Sequence, residues 1–207
     1  MFPDLARDDV FRLETARLWL RWPRASDAPA IQRYCSRWEV SQFTARIPHP
    51  YPPGTAERFI FAAREGNASG RDLTLVLTPI RDLREAIGAI TLETRGADRL
   101  TLSYALAPEA WGKGLASEAV ETMVDAGFGL TEAVAVIASS RPENAASRRV
   151  LEKAGFVFVG LGREGAPARG GLVPAERFEL TREAWSARRA AASAHAFAPR
   201  EDVHEIS

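Results

Sequence analysis

The sequence predicts a mixed α/β fold, because segments with a two-residue apolar period alternate along the chain with segments of helical period. A length of 207 residues with 46% hydrophobic residues suits one globular domain with a sizeable core. The predicted strands lie at residues 12–22, 73–78, 86–93, 100–107, 134–138, 156–159 and 176–180.

Composition narrows the function classes. Lys plus Arg and Asp plus Glu number 27 each, so no bulk field indicates a nucleic acid partner. Cys35 is the only cysteine, which excludes an internal disulfide or a cysteine-based metal site and favours a reducing, cytoplasmic setting. No apolar run has the length of a signal peptide or a membrane span, so we expect neither export nor membrane insertion.

The first element is a strand that ends before Pro23. Ser26 and Asp27 then provide an N-cap, and apolar residues at three- and four-residue spacing predict a helix over 27–40. The buried parity of the strand carries Leu18, Leu20 and Trp22.

Four prolines within residues 45–53 forbid regular hydrogen bonding and predict a stiff, ordered loop. Thr55 is the expected cap of a second amphipathic helix, which Gly66 and Asn67 end. The strands at 73–78 and 86–93 follow, joined by a polar turn.

The strand at 100–107 leads directly into a Gly-x-Gly turn and a third helix. The short apolar strand at 134–138 has the composition of a strand buried on both faces. Asn144 caps a helix that runs through Lys153, and a glycine-rich hairpin loop at 160–174 separates the last two strands.

Residues 108–120 are the centre of the functional prediction. Gly112 and Gly114 let the backbone approach a ligand, and the first N–H groups of the following helix have no intrahelical acceptor. Such a loop favours a phosphate or pyrophosphate. Taken alone, the glycines are equally compatible with a simple strand-to-helix turn.

Three segments together resemble the acetyl-CoA-binding core of GNAT-superfamily N-acetyltransferases: residues 100–107, 111–116 and 144–156. The segments 13–18, 47–51 and 180–185 resemble the RimJ/RimL branch, the ribosomal-protein N-terminal acetyltransferases. This resemblance implies a twisted, mostly antiparallel sheet of about seven strands with about four helices, splayed between the fourth and fifth strands. We expect one domain over 1–185 and a helical or disordered tail over 186–207.

The resemblance implies an acetyl-CoA-dependent N-acetyltransferase that needs no metal, in which an amine attacks the thioester directly. The backbone N–H near Leu106 would polarise the thioester carbonyl, and Asn144 and Ser147 occupy the family's Asn-x-x-Ser positions. The residues expected to hold the cofactor are Leu106, Trp111, Gly112, Lys113, Gly114, Leu115, Ala116, Asn144, Ser147 and Arg149.

The sequence departs from the family at two positions. Leu151 stands where many members have a tyrosine that protonates the leaving thiolate, so this role is unfilled or passes to Ser147 or to water. Glu109 stands where the family usually has Gln or Arg. The strand at 100–107 carries no carboxylate, which makes Glu93 the best nearby general base, acting through water.

The missing base favours an acceptor that loses its proton easily. A lysine amine with pKa about 10.4 costs roughly 4–5 kcal/mol to deprotonate at pH 7, whereas an α-amine near 7.7–8.0 costs about 1. We therefore expect a protein N-terminal α-amine or a small-molecule amine as acceptor, bound by a monomer or homodimer. Its pocket is expected between the first two helices, the loop at 45–53 and the hairpin at 160–174.

Two other functions would use part of the same sequence pattern. The same fold without turnover would be a CoA-binding sensor, which the absent tyrosine and the unclear base favour. A Rossmann-type dinucleotide site is disfavoured, because Ser117 replaces the third glycine of its motif and the strand ending at Ser140 lacks the ribose-binding acid.

Overall fold

The computed structural model describes residues 2, 11–96 and 98–196. Its strands are β1 Arg12–Glu14, β2 Leu18–Arg21, β3 Asp72–Pro79, β4 Gly88–Arg95, β5 Arg99–Leu106, β6 Ala135–Ser140, β7 Val157–Ala166 and β8 Gly171–Thr181. Its helices are α1 Ala28–Cys35, α2 Trp38–Ser41, α3 Thr55–Ala68, α4 Leu115–Leu130, α5 Ala145–Lys153 and α6 Arg182–Ala196.

The eight strands form one sheet in the order β1-β2-β3-β4-β5-β6-β8-β7. Neighbouring strands are antiparallel except for β5 and β6, which run parallel. Pairing between these two begins at Arg99 with Ala135 and ends at Leu102 with Ala138. Since both strands continue beyond that point, a gap opens between them, and the predicted mixed α/β class and splay are confirmed.

Two helical layers enclose the sheet. On one face, β4 and β5 contribute Leu92, Leu100 and Leu102 to a core with Met123 and Phe128 of α4. The opposite face packs against α1 and α3. Strand β3 serves both layers: Leu73, Leu75 and Leu77 belong to the first core and Val76 to the second.

The strand count differs from the seven predicted, because the first predicted strand is a hairpin. Thr15 bonds back to the Leu18 carbonyl and turns the chain, so that β1 pairs with β2. The last two strands are also longer than predicted. The glycine-rich stretch 160–174 was expected to be a loop, but most of it lies in β7 and β8, because an edge strand tolerates glycines and one bulge between Phe158 and Gly160.

Three helix boundaries depart from the prediction. The expected helix over 27–40 is divided, because extended backbone at Arg37 separates α1 from α2. Asp27 provides no side-chain cap to α1, since its carboxylate binds Arg21 and the Arg24 N–H instead. Thr55 is the first residue of α3 rather than its cap, which is Gly54.

Helix α6 covers the beginning of the predicted tail, and its Trp185 ring packs 5.0 Å from Phe128 of α4. The remainder of that tail, 197–207, lies outside the described residues. Among the helices that the structure describes, none combines the length and apolarity needed to cross a membrane.

Candidate active site

The glycine loop follows β5 and opens α4. Gly112 and Gly114 have φ of 72° and 74°, a left-handed conformation that glycine adopts at little cost. The first helical bond of α4 runs from the Glu118 N–H to the Gly114 carbonyl, and Gly114 supplies no side-chain cap. The N–H groups of residues 115–117 are therefore oriented along the helix axis toward the loop, where an anion would meet them.

Arg17 extends this site, and the sequence analysis did not select it. Its guanidinium donates to the Lys113 carbonyl at 2.7 Å and to Glu118 at 2.7 Å. A Cβ on Gly114 would lie 3.4 Å from the Arg17 guanidinium. Hydrogen bonds from Thr15 and Arg17 lower the pKa of Glu118 although its partial burial opposes them. An Arg17–Glu118 ion pair, neutral as a whole, therefore lies beside the loop.

Leu106 lies at the end of β5, on the border of the splay. The Ala107 N–H donates 2.8 Å to the Ile87 carbonyl on the β4 side. Because successive N–H groups of a strand point to opposite sides, the Leu106 N–H points toward β6, beyond the end of the β5–β6 pairing. The Trp111 indole donates to the Leu106 carbonyl at 2.9 Å and so fixes the loop against the strand.

The start of α5 faces the same gap. Asn144 caps the helix as predicted, accepting a 3.0 Å bond from the Ser147 N–H. The Ser147 hydroxyl lies 2.9 Å from the Tyr104 hydroxyl of β5, so a side-chain hydrogen bond joins strand and helix. Burial raises the pKa of Tyr104 to about 12, although the bond to Ser147 acts in the opposite direction. Leu151 is 1% exposed and belongs to the core.

Glu93 lies away from the other candidates. Gly88 pairs with Leu106, and Glu93 is five residues further along β4, which corresponds to roughly 16 Å. Its carboxylate forms a bidentate ion pair with Arg46 of the proline-rich loop. To accept a proton, Glu93 would have to leave Arg46 or act through a relay across this distance.

The remaining predicted residues lie around the loop. Leu115 and Ala116 form the first turn of α4, and Lys113 and Arg149 are exposed. Glu109 is held by Arg37 at 2.9 Å. A backbone hydrogen bond, followed by the bond from Arg37, lowers the pKa of Glu109.

The predicted acceptor elements are in contact. Arg169, in the turn between β7 and β8, donates to the carbonyls of Ser41 at 2.8 Å, Thr44 at 3.4 Å and Ile47. The Ala168 N–H adds a 3.1 Å bond to Ala45. The hairpin turn and the proline-rich loop are therefore joined by hydrogen bonds into one unit. In the described part of the chain, no three His, Cys, Asp or Glu side chains are grouped to hold a metal ion.

Comparison with known proteins places residues 17–157 in a match to the family described as Acetyltransferase (GNAT) domain. The uncharacterized N-acetyltransferase p20 of Bacillus licheniformis is 28% identical over 176 residues, covering 84% of this chain and 98% of that protein. The uncharacterized N-acetyltransferase YoaA of Bacillus subtilis (strain 168) is 36% identical over 162 residues, covering 73% and 86%.

Solved structures share the fold. Mycobacterium smegmatis RimJ in complex with CoA-disulfide superposes with a TM-score of 0.71 at 24% identity, covering 84% of this chain and 89% of that one. RimL, a ribosomal L7/L12 α-N-protein acetyltransferase in complex with coenzyme A, gives a TM-score of 0.72 at 14% identity, covering 84% and 99%. Because both sequence identities are below 25%, these similarities show a shared fold and no more.

Proposed function

Because the chain belongs to the GNAT acetyltransferase family, we propose that it transfers the acetyl group of acetyl-CoA to a primary amine by direct attack on the thioester. One observation carries the proposal. The gap between β5 and β6 has the glycine loop at one end and the start of α5 beside it, so donors for an anion and donors for a carbonyl share one cleft.

The cofactor's pyrophosphate is assigned to the N–H groups of Gly112 to Ala116, beside which Arg17 is paired with Glu118. A helix N-terminus favours such an anion by about 0.3–1 kcal/mol at an exposed site. The pantetheine arm is assigned to the splay, where the Leu106 N–H would polarise the thioester carbonyl and Asn144 and Ser147 would contact the arm. For the remaining phosphate we propose the exposed side chains of Lys113 and Arg149.

For the acceptor we propose an N-terminal α-amine or a small-molecule amine rather than a lysine side chain. Glu93, the best base candidate in the sequence, is neutralised by Arg46. An amine that is partly neutral at pH 7 reacts without a strong base. The α-N-protein acetyltransferase activity named for RimL, a protein of the same fold, is of this kind. We propose a cytoplasmic location, because Cys35 is a free, buried cysteine and a reducing compartment suits such a thiol.

Cofactor binding is tested by thermal unfolding with and without acetyl-CoA. We expect the wild-type melting temperature to rise, and Gly114→Glu to lose this rise because a carboxylate opposes the pyrophosphate and a side chain is strained at φ 74°. Gly129→Glu, the same substitution at an open position of α4, is the matched control and should keep it. An unchanged wild-type melting curve at saturating acetyl-CoA would refute the proposal.

Turnover is tested by thiol release from acetyl-CoA across three acceptors: a peptide with a free α-amine, the same peptide with a blocked α-amine and one lysine, and small-molecule amines. We expect release with the first or the third class and little with the second. Stabilisation by acetyl-CoA without release from any class would indicate the CoA-binding module instead, for which the leucine at position 151 is the motivating observation.

A further inference from the structure

Tyr104 bridges the cleft. It lies on β5, two residues before Leu106, and its hydroxyl oxygen is 2.9 Å from the Ser147 hydroxyl oxygen and 3.4 Å from the Ser147 carbonyl oxygen. The phenol thus crosses from the strand that borders the splay to the first turn of α5. The link therefore lies beside the cleft to which the pantetheine arm is assigned.

Either hydroxyl could donate in the 2.9 Å contact, and the arrangement proposed here is the one in which the Tyr104 phenol donates to the serine oxygen. The Ser147 carbonyl can only accept, so a Tyr104 O–H directed at Ser147 faces two acceptors of the same residue. The Ser147 N–H is already bound to Asn144. When the phenol donates to the serine oxygen, the serine proton is left for a third group. Burial raises the pKa of Tyr104 to about 12, which keeps the phenol protonated and a donor at neutral pH.

We propose that Tyr104 is a positioning residue, holding the Ser147 hydroxyl so that its O–H forms a hydrogen bond to the sulfur that leaves. The inference rests on the proposed function, because it concerns the departure of CoA. Ser147 and Leu151 are one helical turn apart and share a face of α5. Tyr104 therefore brings a phenol from β5 to the face on which position 151 offers only an aliphatic side chain.

The proposed reaction consumes neither the Tyr104 hydroxyl nor the Ser147 hydroxyl. The amine nitrogen forms a bond to the thioester carbon, and the carbon–sulfur bond then breaks with its electron pair on sulfur. The Ser147 hydroxyl stabilises the developing thiolate by a hydrogen bond. The proton lost from the amine nitrogen passes through water to the thiolate, giving the amide and the free thiol.

The test is a double-mutant cycle on thiol release with Tyr104→Phe, Ser147→Ala and the double variant. We expect Ser147→Ala to lower kcat about a hundredfold, the lower range for loss of one hydrogen-bond donor to developing negative charge. Tyr104→Phe should lower kcat about tenfold, since it misorients one hydrogen bond, while the KM for acetyl-CoA stays within about twofold. In the Ser147→Ala background, Tyr104→Phe should have no further effect.

Thr78→Val is the matched control, because it removes another buried hydroxyl, which donates to the Trp19 carbonyl of β2 at 3.3 Å. It should leave kcat unchanged. A wild-type protein that releases no thiol would overturn the proposed function and this inference together. An active wild type whose Tyr104→Phe variant keeps full kcat, or loses it equally in both backgrounds, would overturn the inference alone.

Discussion

Arg21 and Asp27 form a bidentate ion pair with bonds of 2.8 and 2.7 Å, and their side chains are only 7% and 1% exposed. Asp27 also accepts from the Arg24 N–H at 2.7 Å, which anchors the entry to α1. We expect Asp27→Asn to lower the free energy of unfolding by about 3–5 kcal/mol, because it leaves the buried guanidinium without a counter-charge. Urea unfolding measures this loss.

The contrast with an exposed pair makes this prediction specific. Arg37 and Glu39 form an ion pair of 3.0 Å with side chains 42% and 51% exposed. Glu39→Gln should leave the free energy of unfolding almost unchanged, because both charges remain solvated. Equal effects of the two substitutions would mean that burial does not govern these ion pairs.

At the scale of residues, the sequence predicted those site residues whose role is local. Gly112 and Gly114 were predicted as turn glycines and Asn144 as a helix cap, because each acts on backbone within a few positions of itself, whereas their binding roles remain predictions. Arg17 and Tyr104 could not be selected in this way. Arg17 binds Glu118, 101 positions away, and Tyr104 binds Ser147, 43 positions away, and such contacts exist only once the sheet has formed.

At the scale of elements, the turn between β7 and β8 holds the proline-rich loop through Arg169. We expect Arg169→Ala to release carbonyls of residues 41, 44 and 47 and to cost about 2 kcal/mol of local stability. The KM for the amine should rise, because the joined hairpin turn and proline-rich loop shape the proposed acceptor pocket. The affinity for acetyl-CoA should stay unchanged. Amide hydrogen exchange of residues 42–47 and steady-state kinetics report the two effects.

Arg163→Ala provides the control within the same hairpin. Arg163 is exposed and donates one 3.0 Å bond to the Leu172 carbonyl within the hairpin itself. Its removal should leave exchange in the proline-rich loop unaltered. Equal acceleration by both substitutions would show that the hairpin as a whole, rather than Arg169, orders the loop.

Element boundaries were predicted well where a local signal exists. Asn144 marked the start of α5, and the stretch of prolines was correctly predicted to lack regular structure. The extension of β7 and β8 through the glycines was missed, because the pairing that stabilises it comes from the partner strand. The division of α1 from α2 was missed for a similar reason, since helical spacing continues across Arg37 although its backbone does not.

At the scale of the whole molecule, the splay between β5 and β6 organises the site. The sequence predicted it through the resemblance of residues 100–107 and 144–156 to a known core, and the register confirms that pairing stops at Leu102. Periodicity alone could not supply the strand order. The placement of β8 between β6 and β7 depends on pairings 36 to 46 residues apart in the chain.

The buried tyrosines and the buried cysteine make the stability of the fold depend on pH in alkaline solution. The sequence has three tyrosines and one cysteine, and burial raises the pKa of all four: that of Cys35 and Tyr104 to about 12, and that of Tyr34 and Tyr51 above the usual range of a phenol. Their protonated forms therefore favour the folded state. This stability is intact below about pH 8.5–10, where the groups also stay protonated in the unfolded chain, and falls as pH rises toward 12. Each group that has ionised only in the unfolded chain lowers the free energy of unfolding by about 1.4 kcal/mol per pH unit.

We expect the tyrosinate absorbance to increase and the far-UV circular dichroism to be lost together, in one cooperative transition above pH 10. Tyrosines that titrate near pH 10 in a protein that keeps its circular dichroism would contradict the burial of these hydroxyls.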